Sequence, residues 1–233
     1  MHLPDGSLPH NLANGLAAGA AGVFAVATRA SLGALVRRVR VARMQLATQP
    51  FGNAAATVTT SFRLTGRGRT VLTRALVVAP VLFLAQSVNV ALGGPVDGHP
   101  IGAAFVAIAL GPTIGFVVMS LVLALETAVF SADTMGVLGG NIVNFGVVGV
   151  LGSAYAYRFL RRPLGGNGAA ALIAWGSVVI IAIVTALELS VRGEAAGALT
   201  TIILPHMLIA LVEAVLTVLA LRLLRRVRTD THP

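Results

Sequence analysis

The chain has 233 residues, of which 56% are hydrophobic and only 11% are charged, and its mean hydropathy is +0.88. Soluble domains carry about 25% charged residues, so this composition excludes an ordinary soluble protein and predicts a polytopic membrane protein. The net charge of +9 does not indicate nucleic-acid binding, because the arginines that supply it stand at the ends of apolar segments. Cysteine is absent, which excludes disulfides, Cys–zinc sites and iron–sulfur clusters and leaves nitrogen and oxygen as metal ligands.

The apolar segments predict the fold class. They cover roughly 8–35, 74–92, 99–111, 113–131, 139–159, 168–191 and 197–224. We therefore predict an all-α fold, a transmembrane bundle of about seven helices that forms a single domain over residues 1–233. The third segment is short for a full crossing and is bounded by His99-Pro100 and Gly111-Pro112. Because proline disfavours helix at the residue before it, we expect a short helix there that other parts of the protein cover.

The arginines predict the topology, since the chain contains no lysine. With the N-terminus outside, all but two of the arginines lie in or next to the loop 36–73, the turn 159–167 and the C-terminal tail. Positive residues favour the cytoplasmic side, so we predict a multi-pass protein of the cell membrane with its C-terminus in the cytoplasm. Within the basic loop, the polar stretch 44–70 is interpreted as a mobile connection rather than a domain.

The first two residues, Met1-His2, predict a metal-chelating terminus. We expect no cleaved leader, because the first arginine is Arg29, and hence a free amine on Met1. That amine, the next backbone amide and the His2 imidazole can close two fused chelate rings, and a fourth nitrogen would complete a planar set suited to Ni(II) or Cu(II). His99 lies in a Gly-rich loop on the same predicted outer side. The alternatives are an accidental histidine at position 2 and a structural role for His99.

Other polar residues are candidates to hold such ligands in place: Asp5, Asp97, Asn89 and Asn141. Asp97 could orient the His99 imidazole or could serve only as a turn residue. For Gln86 and Asn144, hydrogen bonds between helices are the favoured interpretation. Glu188 is expected to pair with the arginine four residues later, and Glu126 and Glu213 have no evident role beyond a weakly supported proton relay.

The small residues of the first apolar segment and the absence of enzyme motifs indicate whether the chain needs partner proteins. Gly15, Gly19 and Gly22 stand at spacings that let a second helix approach closely, so they mark either a docking face for a partner subunit or internal packing. The chain has no His-Glu-x-x-His, Gly-x-Ser-x-Gly or Walker phosphate loop, so we predict that it is not an enzyme. Without a phosphate loop it needs a partner to use ATP, or it works passively.

Three stretches carry a resemblance to a known family. They are Met1-His2-Leu3-Pro4-Asp5-Gly6, the block from Ala85-Gln86-Ser87-Val88-Asn89 through Gly98-His99 to Leu110-Gly111-Pro112, and Gly139-Gly140-Asn141-Ile142-Val143-Asn144. They resemble the Met-His-Ile-Pro-Asp-Gly opening, the Gln-x-x-Asn…His…Leu-Gly-Pro block and the Gly-Ala-Asn-x-x-Asn segment of the CbiM/NikM family. Members of that family are the substrate-specific membrane components of energy-coupling-factor cobalt/nickel ABC transporters.

The resemblance implies a ligand set and partners. The ligands would be the Met1 amine, the amide and imidazole of His2, and the His99 imidazole, and the bound ion would be a transported Ni(II) or Co(II) rather than a cofactor. The partners would be a transmembrane coupling protein, a pair of cytoplasmic ATPases and, in many cases, a small accessory membrane protein. Three rival functions stay open: a partner-independent metal channel or carrier, a membrane metal sensor or scaffold, and an intramembrane enzyme that uses Glu126 or Glu213.

Overall fold

The computed structural model describes residues 3, 6–44, 56–89, 98–130, 135–191, 197 and 199–229. Seven α-helices run in chain order: α1 (His10–Leu35), α2 (Gly66–Gln86), α3 (Ala103–Leu110), α4 (Pro112–Val129), α5 (Met135–Asn141), α6 (Gly152–Ser190) and α7 (Leu204–Thr229). Two π-helical stretches, Ile142–Leu151 and Leu199–Ile203, join α5 to α6 and lead into α7. Two strands, β1 (Val36–Met44) and β2 (Ala56–Leu64), lie between α1 and α2.

Among the described residues, five helical stretches are long and apolar enough to cross a membrane: His10–Leu35, Gly66–Gln86, Pro112–Val129, Val137–Ser190 and Thr201–Arg226. The fourth has 54 residues and would measure about 81 Å as one straight helix, which far exceeds a hydrocarbon core of about 30 Å. Gly165 interrupts it with φ 68° and ψ 164°, so the chain turns there and can cross twice. The predicted helical, multi-pass membrane fold is confirmed.

The short third segment forms a helix of eight residues, and seven of them are buried. Glycines with positive φ bound it on both sides, Gly102 at 71° and Gly111 at 85°. Pro112 then begins α4, a position at which proline loses no helical hydrogen bond. The expectation of a short helix covered by protein is therefore confirmed, and α3 occupies the centre of the bundle, in contact with α2, α4, α6 and α7.

The basic segment after α1 differs from its sequence interpretation. Predicted as a loop over 36–73, with a mobile part at 44–70, it contains the antiparallel strands β1 and β2, paired from Val36↔Leu64 to Met44↔Ala56. The valines of β1 and the Thr-rich run in β2 favour extended structure. Helix α2 begins at Gly66, eight residues before its predicted start, because the Thr65 hydroxyl accepts a hydrogen bond from the Gly68 amide and caps the helix.

Candidate metal centre

His99 lies at the start of the turn that leads into α3, and its side chain is only 2% exposed. The ring stands edge-on to Phe145, with 5.9 Å between the ring centroids. Nδ1 lies 3.1 Å from the carbonyl oxygen of Pro100. Since a carbonyl can only accept, this contact requires the proton on Nδ1, and the neutral ring then has its lone pair on Nε2, the nitrogen able to bind a metal.

A carboxylate on α7 holds the backbone of this turn. The Ile101 amide donates to Oε2 of Glu213 over 2.6 Å, and the Gly102 amide donates to Oε1 over 2.9 Å. On the other side of the peptide, Nε2 of Gln86 donates to the Ile101 carbonyl over 2.7 Å. Glu213 and Gln86 are each 2% exposed, so these bonds form away from water. The turn that carries His99 is therefore fixed from α2 and from α7.

Gly102 is required in this turn for two reasons. Its φ of +71° lies in the left-handed region, where an L side chain is strained. A Cβ at this position would also stand 2.4 Å from Cδ1 of Leu82. Gly102 therefore lets the chain reverse between His99 and α3 while α2 packs directly against it.

The replacement Gly102→Ala is expected to destabilise the fold by about 1–3 kcal/mol, since it adds backbone strain and displaces Leu82. The matched control is Gly176→Ala, because Gly176 is helical and has open space where a Cβ would stand. That change should be neutral or stabilising by up to about 1 kcal/mol. Thermal unfolding of both variants in detergent measures the difference, and equal midpoints would contradict this account of Gly102.

The segment before α1 is fastened to the start of the first π-helical stretch. The Leu3 amide donates to Oδ1 of Asn141 over 3.0 Å, and Leu3 is 1% exposed. A Cβ on Gly140 would lie 2.8 Å from Cδ1 of Leu3, and one on Gly139 would lie 2.4 Å from Cα of Ala17. These two glycines therefore allow α5 to approach both α1 and the N-terminal segment closely.

Asn141 and Phe145 connect the two halves of the candidate centre. They stand four positions apart in a continuous helical stretch, so their side chains lie on one face about one turn apart. Asn141 binds the Leu3 amide, and Phe145 contacts the His99 ring. The chain segment beside His2 and the His99 ring are therefore placed on neighbouring turns of the same helix.

The other predicted site residues differ in position. Met1, His2, Asp5 and Asp97 lie outside the described residues. Asn89 is exposed beyond the end of α2, and no described contact joins it to His99. Within the described ranges, no group of three or more His, Asp or Glu side chains is arranged to hold a metal ion.

Several other polar residues within the bundle form hydrogen bonds. Nδ2 of Asn144 donates to Oε2 of Glu188 over 2.6 Å, which confirms the predicted bond between helices for Asn144. Arg192, the predicted partner of Glu188, lies outside the described residues. For Gln86, the contact of Nε2 with Sδ of Met119 on α4, at 3.5 Å, confirms the same interpretation. Nδ1 of His206 lies 2.6 Å from the Ile202 carbonyl inside its own helix. The only sequence signal for Glu213 is a carboxyl group within an apolar helix. Such a group is costly in a membrane unless it forms hydrogen bonds.

Residues 45–231 match the model of the CbiM family, described as the cobalt uptake substrate-specific transmembrane region. A putative fused nickel transport protein, NikMN, of Archaeoglobus fulgidus is 28% identical over 222 residues, which are 93% of this chain and 63% of that protein. A putative metal transport protein of Haloquadratum walsbyi is 29% identical over 221 residues, which are 93% of this chain and 86% of that protein. This chain thus spans less than two thirds of the fused relative.

The fold also matches a solved structure. The crystal structure of a transition metal transporter superposes with a TM-score of 0.77 at 20% sequence identity, over 99% of this chain and 95% of that one. At this identity the likeness shows a shared fold. The helical bundle, with its short central α3, is therefore an architecture that another protein also adopts.

Proposed function

Because the chain belongs to the CbiM family of cobalt uptake substrate-specific transmembrane regions, we propose that it captures Ni(II) or Co(II) as the substrate-binding subunit of an energy-coupling-factor ABC transporter. The metal is the cargo, held at the outer side that the arginine distribution predicts. Four nitrogens bind it: the amine of Met1, the amide and imidazole of His2, and the imidazole of His99. A planar nitrogen set of this kind favours Ni(II) over Co(II).

One observation carries this proposal. The Leu3 amide is bonded to Asn141, one helical turn from the Phe145 ring that contacts His99. Neighbouring Cα atoms are about 3.8 Å apart across a trans peptide, so the residue before Leu3 begins from this fixed point. The bond between Leu3 and Asn141 therefore supports a chelate that combines the N-terminal residues with His99.

The turn around His99 supports the same assignment. A ligand must be held in one orientation to select a geometry, and groups around the ligands determine much of a metal's affinity. Here the ring contacts Phe145, its Nδ1 is engaged by the Pro100 carbonyl, and its backbone continues into the bonds from Glu213. His99 is therefore positioned before any metal binds.

The partners follow from what the chain lacks and from what α1 exposes. Its sequence contains no Walker phosphate loop, so ATP-driven uptake requires separate ATPases. Gly15, Gly19 and Gly22 are exposed on α1, with open space where a Cβ would stand. In lipid such a face lets another helix pack closely, which suits a transmembrane coupling protein. We propose that this face docks the coupling protein, which connects the capture subunit to a cytoplasmic ATPase pair and works in some systems with a small accessory membrane protein.

Uptake of radioactive nickel or cobalt into cells tests this proposal. Cells that produce the chain with a coupling protein and ATPases should accumulate metal, whereas cells that produce the chain alone should stay at background. A coupled set whose ATPases lack the Walker lysine is the matched control and should also stay at background. Equal uptake with and without partners would instead support a passive channel or carrier.

A further inference from the structure

A cavity of 260 Å³ opens at the arginine-rich end of the bundle, where α2, α6 and α7 converge beneath the last residues of α3. Its polar lining consists of Arg74, Tyr157 and Arg225. Its apolar lining consists of Ile108, Ala109, Leu221 and Leu224. Arg74 and Tyr157 are half-buried, and Arg225 is exposed at the rim. The cavity thus combines three side chains that donate hydrogen bonds with an apolar lining.

The break at Gly165 brings two of these groups together. A Cβ on Gly166 would lie 3.2 Å from the Tyr157 hydroxyl and 4.0 Å from Nη2 of Arg225. Both groups therefore pass over the backbone of the same glycine. A larger residue at position 166 would push Tyr157 away, so the shape of this corner depends on the break between the two halves of α6.

The charges in the cavity are not balanced by the protein. In the described part of the chain, neither Arg74 nor Arg225 forms an ion pair, and no carboxylate lines the cavity. The carbonyl end of α3 supplies at most about half a negative charge, against two full positive charges. The cavity therefore carries a net positive charge, which is complementary to an anion.

We propose that this cavity binds a phosphate group, carried either by an anionic phospholipid or by free phosphate. Guanidinium groups match phosphate oxygens in pairs, and a phenol hydroxyl adds a third donor. The volume lies below the roughly 300–1,000 Å³ of sites for drug-sized ligands and fits one headgroup phosphate. Basic pockets between helices at a membrane surface bind anionic lipids in this way.

Lipid retention and thermal stability test the assignment on the purified full-length chain in detergent. The probes are dioctanoyl phosphatidylglycerol, dioctanoyl phosphatidylcholine and inorganic phosphate, and native mass spectrometry counts the bound lipid. The test variant is Arg74→Gln with Arg225→Gln. The control variant, Arg158→Gln with Arg161→Gln, removes two exposed charges near the same end but outside the cavity. Tyr157→Phe is a milder third variant that keeps the packing.

One phosphatidylglycerol per chain should be retained by the wild type and by the control, and its affinity should fall about thirtyfold in the double test variant. Tyr157→Phe should weaken it about tenfold. Stabilisation by phosphatidylglycerol, but not by phosphatidylcholine or inorganic phosphate, assigns the bound phosphate group to a lipid. If inorganic phosphate stabilises the wild type equally well and this effect is lost in the test variant, the site binds free phosphate. Equal responses of the test, control and wild-type chains to all three probes would overturn the proposal.

Discussion

A Gly-Ser extension placed before Met1 is expected to abolish tight binding of Ni(II) or Co(II). The extension leaves every side chain in place but moves the free amine two residues further from His2. The fused rings that amine, amide and imidazole form on one metal ion then cannot close at His2. Loss of groups that merely support a ligand already costs about 10–100-fold in metal affinity, so loss of the amine ligand should cost more than about a hundredfold.

Metal content after equilibration with equal Ni, Co, Cu and Zn, followed by washing and mass spectrometry, measures this loss. The matched control carries the same Gly-Ser extension after Pro233 and should retain about one metal ion per chain. Tight metal that is indifferent to the N-terminal extension would remove Met1 from the site and overturn the proposed chelate.

The histidines provide a second arm of this experiment. His99→Ala should lose the metal, whereas His206→Ala should retain it, because His206 is not one of the proposed ligands. Both side chains are buried, so both variants remove a large side chain from the interior. A loss of metal in both variants to the same extent would indicate general destabilisation rather than loss of a ligand.

Most of the fold could be predicted from apolar segment lengths, because bilayer thickness sets helix length. The predicted segment 113–131 and the observed Pro112–Val129 agree within two residues. The hairpin of β1 and β2 was missed because the arginines of β1 were counted only as charge. Arginine and valine alternate strictly only over residues 38–41, which is too short a run to distinguish a half-buried strand from a basic loop.

Only the part of the candidate site that depends on the covalent structure of the chain could be predicted from the sequence. An amine beside His2 predicts a chelate whatever the fold, and the loop position of His99 makes it a candidate fourth ligand; both stay predictions. The role of Glu213 could not be read from the sequence, since its partners are backbone amides 112 and 111 positions away, and every residue except proline carries such an amide. The link from Leu3 through Asn141 to Phe145 is likewise a property of the packed helix.

Replacing Glu213 is expected to separate positioning of His99 from metal ligation. Glu213→Ala leaves the amides of Ile101 and Gly102 buried without their acceptors, which should destabilise the fold by about 2–5 kcal/mol. Because the turn that carries His99 is then no longer fixed from α7, metal affinity should fall about 10–100-fold. Glu213→Gln keeps one acceptor oxygen and should lie between the wild type and the alanine variant in both properties.

The comparison with Thr217→Val shows whether this effect is specific. Thr217 is buried one turn further along α7, and in the described part of the chain its hydroxyl is not bonded to the His99 turn. Its replacement should leave metal affinity unchanged, even if stability shifts slightly. Titration with Ni(II), well below the unfolding midpoint of each variant, separates affinity from stability.

If Glu213→Ala binds metal as tightly as Thr217→Val does, the carboxylate stabilises α3 and α7 without positioning the ligand. If the affinity follows the order Glu, Gln, Ala, then α7 controls the orientation of His99, and any movement of that helix changes how tightly the metal is held.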